Sequence, residues 1–210
     1  MKKTILYCSD GKVDQRIRSR VQETILAAGL PVVSVTQKPM PFGENICVGD
    51  IGSSMRSYAT QLMVGISMIQ TGIIYIVEHD VLYHPSHFEL VPANPRMGYF
   101  DTNRWIGVIA DDCYYNWVKT SPFGLRALSM LCGHADFLLE HIGQLAVRVW
   151  NGWKHQITPW DCTDCVSAEG TSVDIRHDGN LTGDEKWKRS DTWVDSLKPW
   201  GKLSEALGAA

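Results

Sequence analysis

The sequence predicts an α/β fold in which an N-terminal βαβ half leads into a mixed central sheet with helices on both faces. Three observations predict it. The short apolar segments 4–8 and 31–35 flank a helical repeat, and this order within about 30 residues is typical of a right-handed βαβ unit. An amphipathic helix follows at 55–69. The continuous apolar run 73–77 then indicates a strand buried on both faces.

The first helix has clear start and stop signals. Asp14 is placed to cap its N-terminus, and Gly29 is placed to end it. Apolar side chains recur between them at three- and four-residue spacing, at Ile17, Val21, Ile25 and Ala28. The face they form is expected to pack against the sheet.

The segment 37–52 has no periodicity and carries several prolines and glycines, so we expect a loop, and loops of this length inside a domain are usually functional. Ser53 or Ser54 is expected to cap the second helix, which Gly72 ends. Its apolar side chains form one broad face, made of Met55, Tyr58, Ala59, Leu62, Met63, Ile66 and Ile69.

The second half of the chain is less regular. Segments 97–100 and 105–110 are predicted to be strands, joined as a hairpin across 101–104. Helical spacing extends over 125–142, where Gly133 is predicted to separate two helices, the second beginning at 134–136. Beyond residue 151 the periodicity is weak, and 184–210 is predicted to pack over the domain as an arm.

Length and composition indicate one globular domain. The chain has 210 residues, 44% of them hydrophobic and 20% charged, and its net charge of −3 argues against a strongly basic nucleic-acid binder. Its apolar runs fall short of a membrane span or a signal sequence, so we expect a cytoplasmic protein. The six cysteines are expected to be free thiols, and the Cys162–Cys165 pair lacks the second pair that a zinc ribbon needs.

Polar residues follow the predicted strands where a parallel sheet places its ligands. Glu78, His79 and Asp80 end the buried strand, and burying two carboxylates is costly unless a cation or a charged ligand compensates. The alternative is that they pair with an arginine or cap the next element. Ser9–Asp10 and Gln37 follow the other two strands, so three strand ends are expected to meet at one crevice.

This order of elements resembles that of the GT-A glycosyltransferases over roughly residues 4–183. Within it, the segments 33–39, 45–49 and 78–83 resemble a branch found in phage and environmental sequences. The resemblance implies a single GT-A-like domain over 1–183 with a Rossmann-like N-terminal half. Residues 1–84 would then bind the nucleotide, 85–183 would bind the acceptor, and 184–210 would form the C-terminal arm.

The resemblance also implies a divalent cation, Mn²⁺ or Mg²⁺, bound near the end of the buried strand. The family usually carries Asp-x-Asp there, and Asp80 matches the second, metal-binding aspartate. Glu78 takes the place of the first, which faces the metal's water shell or the ribose. His177 matches a late histidine ligand of the family.

Other site residues follow from the resemblance by position. Ser9 and Asp10 match the segment that holds the base and the ribose, and Gln37 matches the end of the second strand. Gly49, Ser54 and Arg56 lie where backbone amides and a cation would meet the nucleotide. In inverting members a carboxylate at a helix start takes the acceptor proton, and Asp136 is the matching residue; a plain helix cap is the alternative.

The implied reaction moves a sugar from a nucleotide-sugar, with a UDP-sugar favoured, to a hydroxyl acceptor. The phage-like segments suggest a 5-hydroxymethylpyrimidine in DNA, and a glycan or a lipid-linked sugar is the alternative acceptor. Three tryptophans are candidate platforms for stacking of the acceptor: Trp105, Trp117 and Trp153. A group of basic side chains is a candidate contact for DNA: Lys12, Arg16, Arg18 and Arg20. A non-catalytic nucleotide- or metal-binding module and a metal-dependent nuclease remain as other classes of function.

Overall fold

A computed structural model describes residues 1–116, 126–152, 162–177 and 193–208. The strands of its larger sheet are β1 (Lys3–Ser9), β2 (Val32–Thr36), β3 (Glu44–Cys47), β4 (Ile73–Glu78), β6 (Gly98–Asp101), β9 (Leu131–His134) and β10 (Thr163–Val166). A smaller sheet contains β5 (Val81–Leu82), β7 (Arg104–Val108), β8 (Cys113–Tyr115), β11 (Ser172–Arg176) and β12 (Trp193–Val194). The helices are α1 (Gln15–Leu26), α2 (Met55–Ile69), α3 (Ala135–Trp150) and α4 (Leu203–Ala206).

The larger sheet is mixed. Its strand order is β10-β6-β9-β4-β1-β2-β3, and β4, β1, β2 and β3 run parallel to one another. Strand β9 is antiparallel to both of its neighbours, β4 and β6. After β1, the chain adds β2 and then β3 on one side of β1, and it adds β4 on the other side. The direction in which strands are added therefore reverses between β1 and β4.

Helices cover both faces of the larger sheet, as predicted. Side chains alternate along β1 and β4, and one set packs with α1, α4 and the smaller sheet, while the other packs with α2 and α3. Asp14 caps α1 and Ser54 caps α2, which confirms both predicted helix starts. Gly65 of α2 lets the helix approach β1 closely, because a Cβ there would lie 2.2 Å from Leu6.

The smaller sheet is joined to the larger one through a turn at residues 79 and 80. Strand β5 begins directly after that turn and pairs antiparallel with β11, which in turn pairs parallel with β7. The inward side chains of this sheet, Val173 and Ile175 among them, belong to the same buried core as β1 and α1. The two sheets therefore meet at the end of β4.

Two predictions in the second half are wrong. Strands β6 and β7 do not form a hairpin, because β6 belongs to the larger sheet and β7 to the smaller one. The stretch before Gly133 is a short 3-10 helix, Leu128–Met130, followed by β9, not an α-helix. Leu128 and Leu131 keep the helical spacing, but Leu131, Cys132 and Gly133 are all buried in the sheet, and spacing alone does not distinguish a short apolar strand of this kind from a helix.

The segment 193–208 contributes to the core as well as covering it. β12 adds an edge strand to the smaller sheet beside β8, and Leu203 and Leu207 are buried with α1. Asp112 accepts hydrogen bonds from the backbone and the hydroxyl of Ser204, which fixes the start of α4. Within the described ranges, none of the helices has both the length and the apolar character needed to cross a membrane.

Candidate metal centre

The turn between β4 and β5 is held from three sides. The backbone N–H of Ile175 in β11 donates to the carbonyl of Asp80, at 2.8 Å. The hydroxyl of Tyr83 accepts from the N–H of Glu78, at 2.9 Å, and donates to the carbonyl of Ser129, at 3.0 Å. Because β11 pairs antiparallel with β5, the residue that follows β11 returns to this turn, and that residue is His177.

Three side chains with metal-binding atoms meet there: His79, Asp80 and His177, which we call the His–Asp–His cluster. One ligand atom from each lies within 4.8 Å of the others, and Nε2 of His177 lies 3.6 Å from Oδ2 of Asp80. Two imidazoles and one carboxylate are a donor set that divalent first-row transition metals accept. The cluster therefore fits the cation that the sequence predicted, with Asp80 and His177 brought together from positions far apart in the chain.

The electrostatic surroundings keep Asp80 ionised. Burial opposes ionisation, but the nearby His177, His79 and Arg176 more than offset it and lower the pKa of Asp80 below its ordinary value. An ionised, buried carboxylate is the form that binds a cation.

Glu78 does not belong to the cluster. Side chains alternate along a strand, and the Glu78 carboxyl lies on the α2 side of β4, near Tyr58 and beside Cys8 of β1. Burial, and then the charge of Asp80, raise the pKa of Glu78 well above its usual range. Its assignment to the nucleotide ribose or the metal's water shell stays a prediction.

The end of β1 is tied to the start of α2. The Ser53 hydroxyl donates to Oδ2 of Asp10, at 2.6 Å, and accepts from Nζ of Lys12, at 2.8 Å. The backbone N–H of Lys12 donates to Oδ1 of Asp10, at 3.0 Å. Although burial opposes it, these hydrogen bonds and the nearby His79 lower the pKa of Asp10. A carboxylate and an ammonium group thus lie at the carboxyl end of β1, next to the cluster.

Gln37 shapes the loop that precedes α2. Its side-chain amide donates to the carbonyl of Gly52, at 2.7 Å, and accepts from the N–H of Ile51, at 3.2 Å. The side chain is buried, so its contacts are made to the loop. Gly49, at φ +76°, takes a left-handed conformation that favours glycine, and a Cβ there would meet open space.

No protein-family model matches the chain, and no curated protein sequence matches it. The functional conclusion below therefore rests on the fold and on the geometry of this crevice.

The structure places Arg56 against the end of α3 and Asp136 at the opposite edge of the sheet from the cluster. Arg56 is exposed, and its guanidinium carbon lies 4.6 Å from the ring centre of Trp150, at the end of α3. Asp136 lies at the opposite edge of the sheet, because β9 places His134 beside Ile73 at the start of β4. At about 3.3 Å per residue, the length of β4 and its turn separates Asp136 from Asp80 by about 20 Å.

Two features of the site could not be predicted from the sequence. His79 lies between two acids, and only the structure shows that its ring meets Asp80 and His177, although histidine is a common metal ligand. The other feature is a buried ion pair beside the cluster, in which Nη1 of Arg104 lies 2.8 Å from Oδ2 of Asp174 and Nη2 of Arg176 lies 3.4 Å from the same oxygen. Of the candidate platforms, Trp105 packs against the core, and Trp117 and Trp153 lie outside the described residues.

Proposed function

We propose that this chain is a metal-dependent glycosyltransferase that moves a sugar from a nucleotide-sugar, with a UDP-sugar favoured, to a hydroxyl acceptor. The observation that carries the proposal is the place of the His–Asp–His cluster. It lies at the carboxyl ends of β1 and β4, where the strand order reverses. Open α/β sheets bind nucleotides in the crevice at such a reversal, and a cation there is placed to meet a diphosphate.

Different residues of the chain would bind the cation and the nucleotide-sugar. Asp80 and His177 would hold the divalent cation, which when bound neutralises the charge that develops on a nucleoside diphosphate leaving group. Lys12 and the N-terminal amides of α2 supply positive potential beside it. Asp10, at the end of β1, is the group that faces the base and the ribose in this proposal, whereas Ser9 is buried and lies against His79.

The acceptor proton is not assigned to Asp136. A general base must come within hydrogen-bond reach of the proton that it removes, and Asp136 lies at the far edge of the sheet. The proposal therefore assigns Asp136 no role in chemistry.

A hydroxymethylated pyrimidine in DNA is the acceptor that we favour. Lys12 and Arg16 are exposed where β1 leads into α1, on the same edge of the sheet as the cluster, and cations there suit a phosphate backbone. Arg20 is engaged elsewhere, because its guanidinium donates to Glu23 and to the carbonyl of Ala206. A glycan is the competing acceptor, and the two are separated by assay.

The first test is a thermal-shift screen of UDP-, GDP-, dTDP- and CMP-sugars, each with and without Mn²⁺. For a donor at about 100 times its Kd, binding stabilises the fold by about 2.7 kcal/mol, which for a domain of this size raises Tm by roughly 5 to 11 °C. We expect one donor to give a metal-dependent rise that Asp80→Asn abolishes. Asp136→Asn is the matched control, because it changes a carboxylate remote from the crevice, and it should keep the rise.

The second test is turnover, followed as release of the nucleoside diphosphate. Hydroxymethylated duplex DNA, unmodified DNA and a glycan mixture are compared as acceptors, with Asp80→Asn as the inactive control. Donor binding without transfer to any acceptor would instead favour a nucleotide-binding module. Failure of every donor to bind, with or without metal, would overturn the proposal.

A further inference from the structure

We propose that His79 is the third protein ligand of the cation, so that the centre is a site of two histidines and one carboxylate with a preference for transition metals over Mg²⁺. This inference deepens the proposed function and rests on it only for the presence of a cation. The proposed function assigns the cation to Asp80 and His177 and gives His79 no role. The structure places the His79 imidazole within reach of the other two ligands.

The first step is the position of the ring. The ring centres of His79 and His177 lie 6.2 Å apart, and each ring offers a nitrogen within 4.8 Å of the Asp80 carboxylate and of the other. An ion bonded at about 2.0 to 2.2 Å to each donor draws ligand atoms to roughly 3 to 4 Å of one another. The separations seen are thus close to those of a three-ligand centre, and small side-chain movements complete it.

The second step is the anchoring of His79. Cys8 lies opposite Glu78 in the parallel pair of β1 and β4, so Ser9 is the residue beside His79 on the same face. Nδ1 of His79 lies 2.9 Å from the Ser9 hydroxyl oxygen and 3.9 Å from Oδ1 of Asp10. Ser9 is itself buried and accepts from the N–H of Gly11, at 3.0 Å, so the hydroxyl is fixed in place.

The third step is the tautomer. A hydroxyl oxygen and a carboxylate on the Nδ1 side favour the ring form that carries its proton on Nδ1. That form leaves the lone pair on Nε2, which is the arrangement that metal-binding histidines adopt when their other nitrogen donates to a neighbouring oxygen. Ser9 and Asp10 are therefore positioning residues for the ligand.

The fourth step is metal preference. Mg²⁺ prefers oxygen donors and retains several of its waters, whereas imidazole suits the later first-row metals. With two imidazoles the expected order of affinity is Mg²⁺ weakest, then Mn²⁺, then Co²⁺, following the general order of divalent ions. A site made of Asp80 and His177 alone would discriminate less.

The experiment measures metal binding by the full chain without any nucleotide. Mn²⁺ is titrated by the spin-resonance signal of the free ion, Co²⁺ by its visible absorption, and Mg²⁺ by competition with Mn²⁺. We expect His79→Gln to weaken Co²⁺ binding at least tenfold and Mn²⁺ binding less, because glutamine keeps an oxygen donor. Ser9→Ala should weaken Co²⁺ binding several-fold. His84→Gln is the matched control, since His84 lies in the same stretch with its Nδ1 on Ser86, and it should bind as wild type.

A second measurement needs no variant. The spin-echo modulation of bound Mn²⁺ in the wild-type protein counts directly bound nitrogens, and the proposal expects two. One nitrogen, or unchanged Co²⁺ affinity in a folded His79→Gln protein, would overturn the inference and leave the proposed transferase intact. Absence of any metal binding by the wild type would also overturn it, whereas a nucleotide-sugar that raises Tm only in the presence of Mn²⁺ would still support the proposed function.

Discussion

The Tyr83 hydroxyl bridges the turn that carries His79 and Asp80 to the segment before β9, and Tyr83→Phe tests whether this bridge holds the turn in place. The side chain is fully buried. Its oxygen accepts from the N–H of Glu78 and donates to the carbonyl of Ser129, so it bridges the end of β4 to the segment before β9. Phenylalanine keeps the ring and removes only this bridge. His79 and Asp80 follow Glu78 directly and depend on the turn that the bridge holds.

The expected loss of stability follows from the groups left behind. A buried N–H or carbonyl that loses its partner costs about 1 to 3 kcal/mol, so the two groups together lower the free energy of unfolding by about 2 to 4 kcal/mol, allowing for partial relaxation. For a domain of this size that corresponds to a fall in Tm of roughly 4 to 16 °C. Tyr75→Phe is the matched control, because the Tyr75 hydroxyl is also buried and makes a single hydrogen bond, to the carbonyl of Leu90 at 2.7 Å. Its loss should be about half as large.

Metal affinity separates a positioning role from a merely structural one. We expect Tyr83→Phe to weaken Mn²⁺ binding roughly tenfold, as changes behind a ligand commonly do, and Tyr75→Phe to leave it unchanged. Urea unfolding gives the stabilities, and Mn²⁺ titration is run at a temperature where both variants are folded. If the two variants bind Mn²⁺ equally well, the turn does not depend on Tyr83 and the reasoning is refuted.

Three further predictions concern charges at and away from the site. Burial and Asp80 raise the pKa of Glu78 from an ordinary 4.5 to about 8, so its contribution to the stability of the metal-free protein is complete below pH 4.5 and is lost as the pH rises through 8. Glu78→Gln should flatten that dependence in urea unfolding, and an unchanged slope would contradict the assignment. Asp174→Asn removes the carboxylate 2.8 Å from the buried Arg104 and should cost about 3 to 5 kcal/mol of stability. Asp136→Asn, at an exposed carboxylate in the first turn of α3, should leave metal binding unchanged, and a loss of metal binding would restore Asp136 to the site.

The first half of the fold could be predicted because its signals are local. Asp14 caps α1 through its own neighbour, accepting from the N–H of Arg16 at 2.8 Å, and Ser54 caps α2 in the same way through Ser57. The apolar run that became β4 is rich in β-branched side chains and follows Gly72, and both signals favour a strand over a helix. Once β1, β2 and β4 are parallel, their carboxyl ends must share an edge, so the crevice follows from the order of elements.

The second half could not be predicted, because its pairings are non-local. Segments 98–101 and 104–108 are separated by two residues and yet belong to different sheets. Alternation of side chains identifies a strand but not its partner. The side chain of Asp101 helps to separate the two strands at this point. Its Oδ1 accepts from the N–H of Asn103, at 2.9 Å, and from the N–H of Ala168, at 3.1 Å, so the turn is bound to a segment distant in the chain.

The direction of β9 explains why Asp136, which the family resemblance suggested as the base, lies away from the cluster. A helix start after a strand faces the ligand crevice only when that strand runs parallel to the strands that form it. Strand β9 runs antiparallel to β4, so the helix that follows it starts at the opposite edge, where the N–H of Ala135 donates to the carbonyl of Gly72 at 3.0 Å. Periodicity carries no information about strand direction, so the position of Asp136 relative to the cluster could not be predicted from it.

The cluster also shows why the register of two short strands matters to the proposed chemistry. His79 and Asp80 come from the turn after β4, whereas His177 arrives from the end of β11, so the centre exists only if β11 pairs with β5 in one register. Two hydrogen bonds support this register. The N–H of Ile175 donates to the carbonyl of Asp80 at 2.8 Å, and the N–H of His84 donates to the Ser172 hydroxyl at 3.2 Å. A slip of one residue would turn the side chains of β11 to the other face and would carry the imidazole away from the carboxylate. The smaller sheet thus brings His177 to an acidic strand end and completes the His–Asp–His cluster.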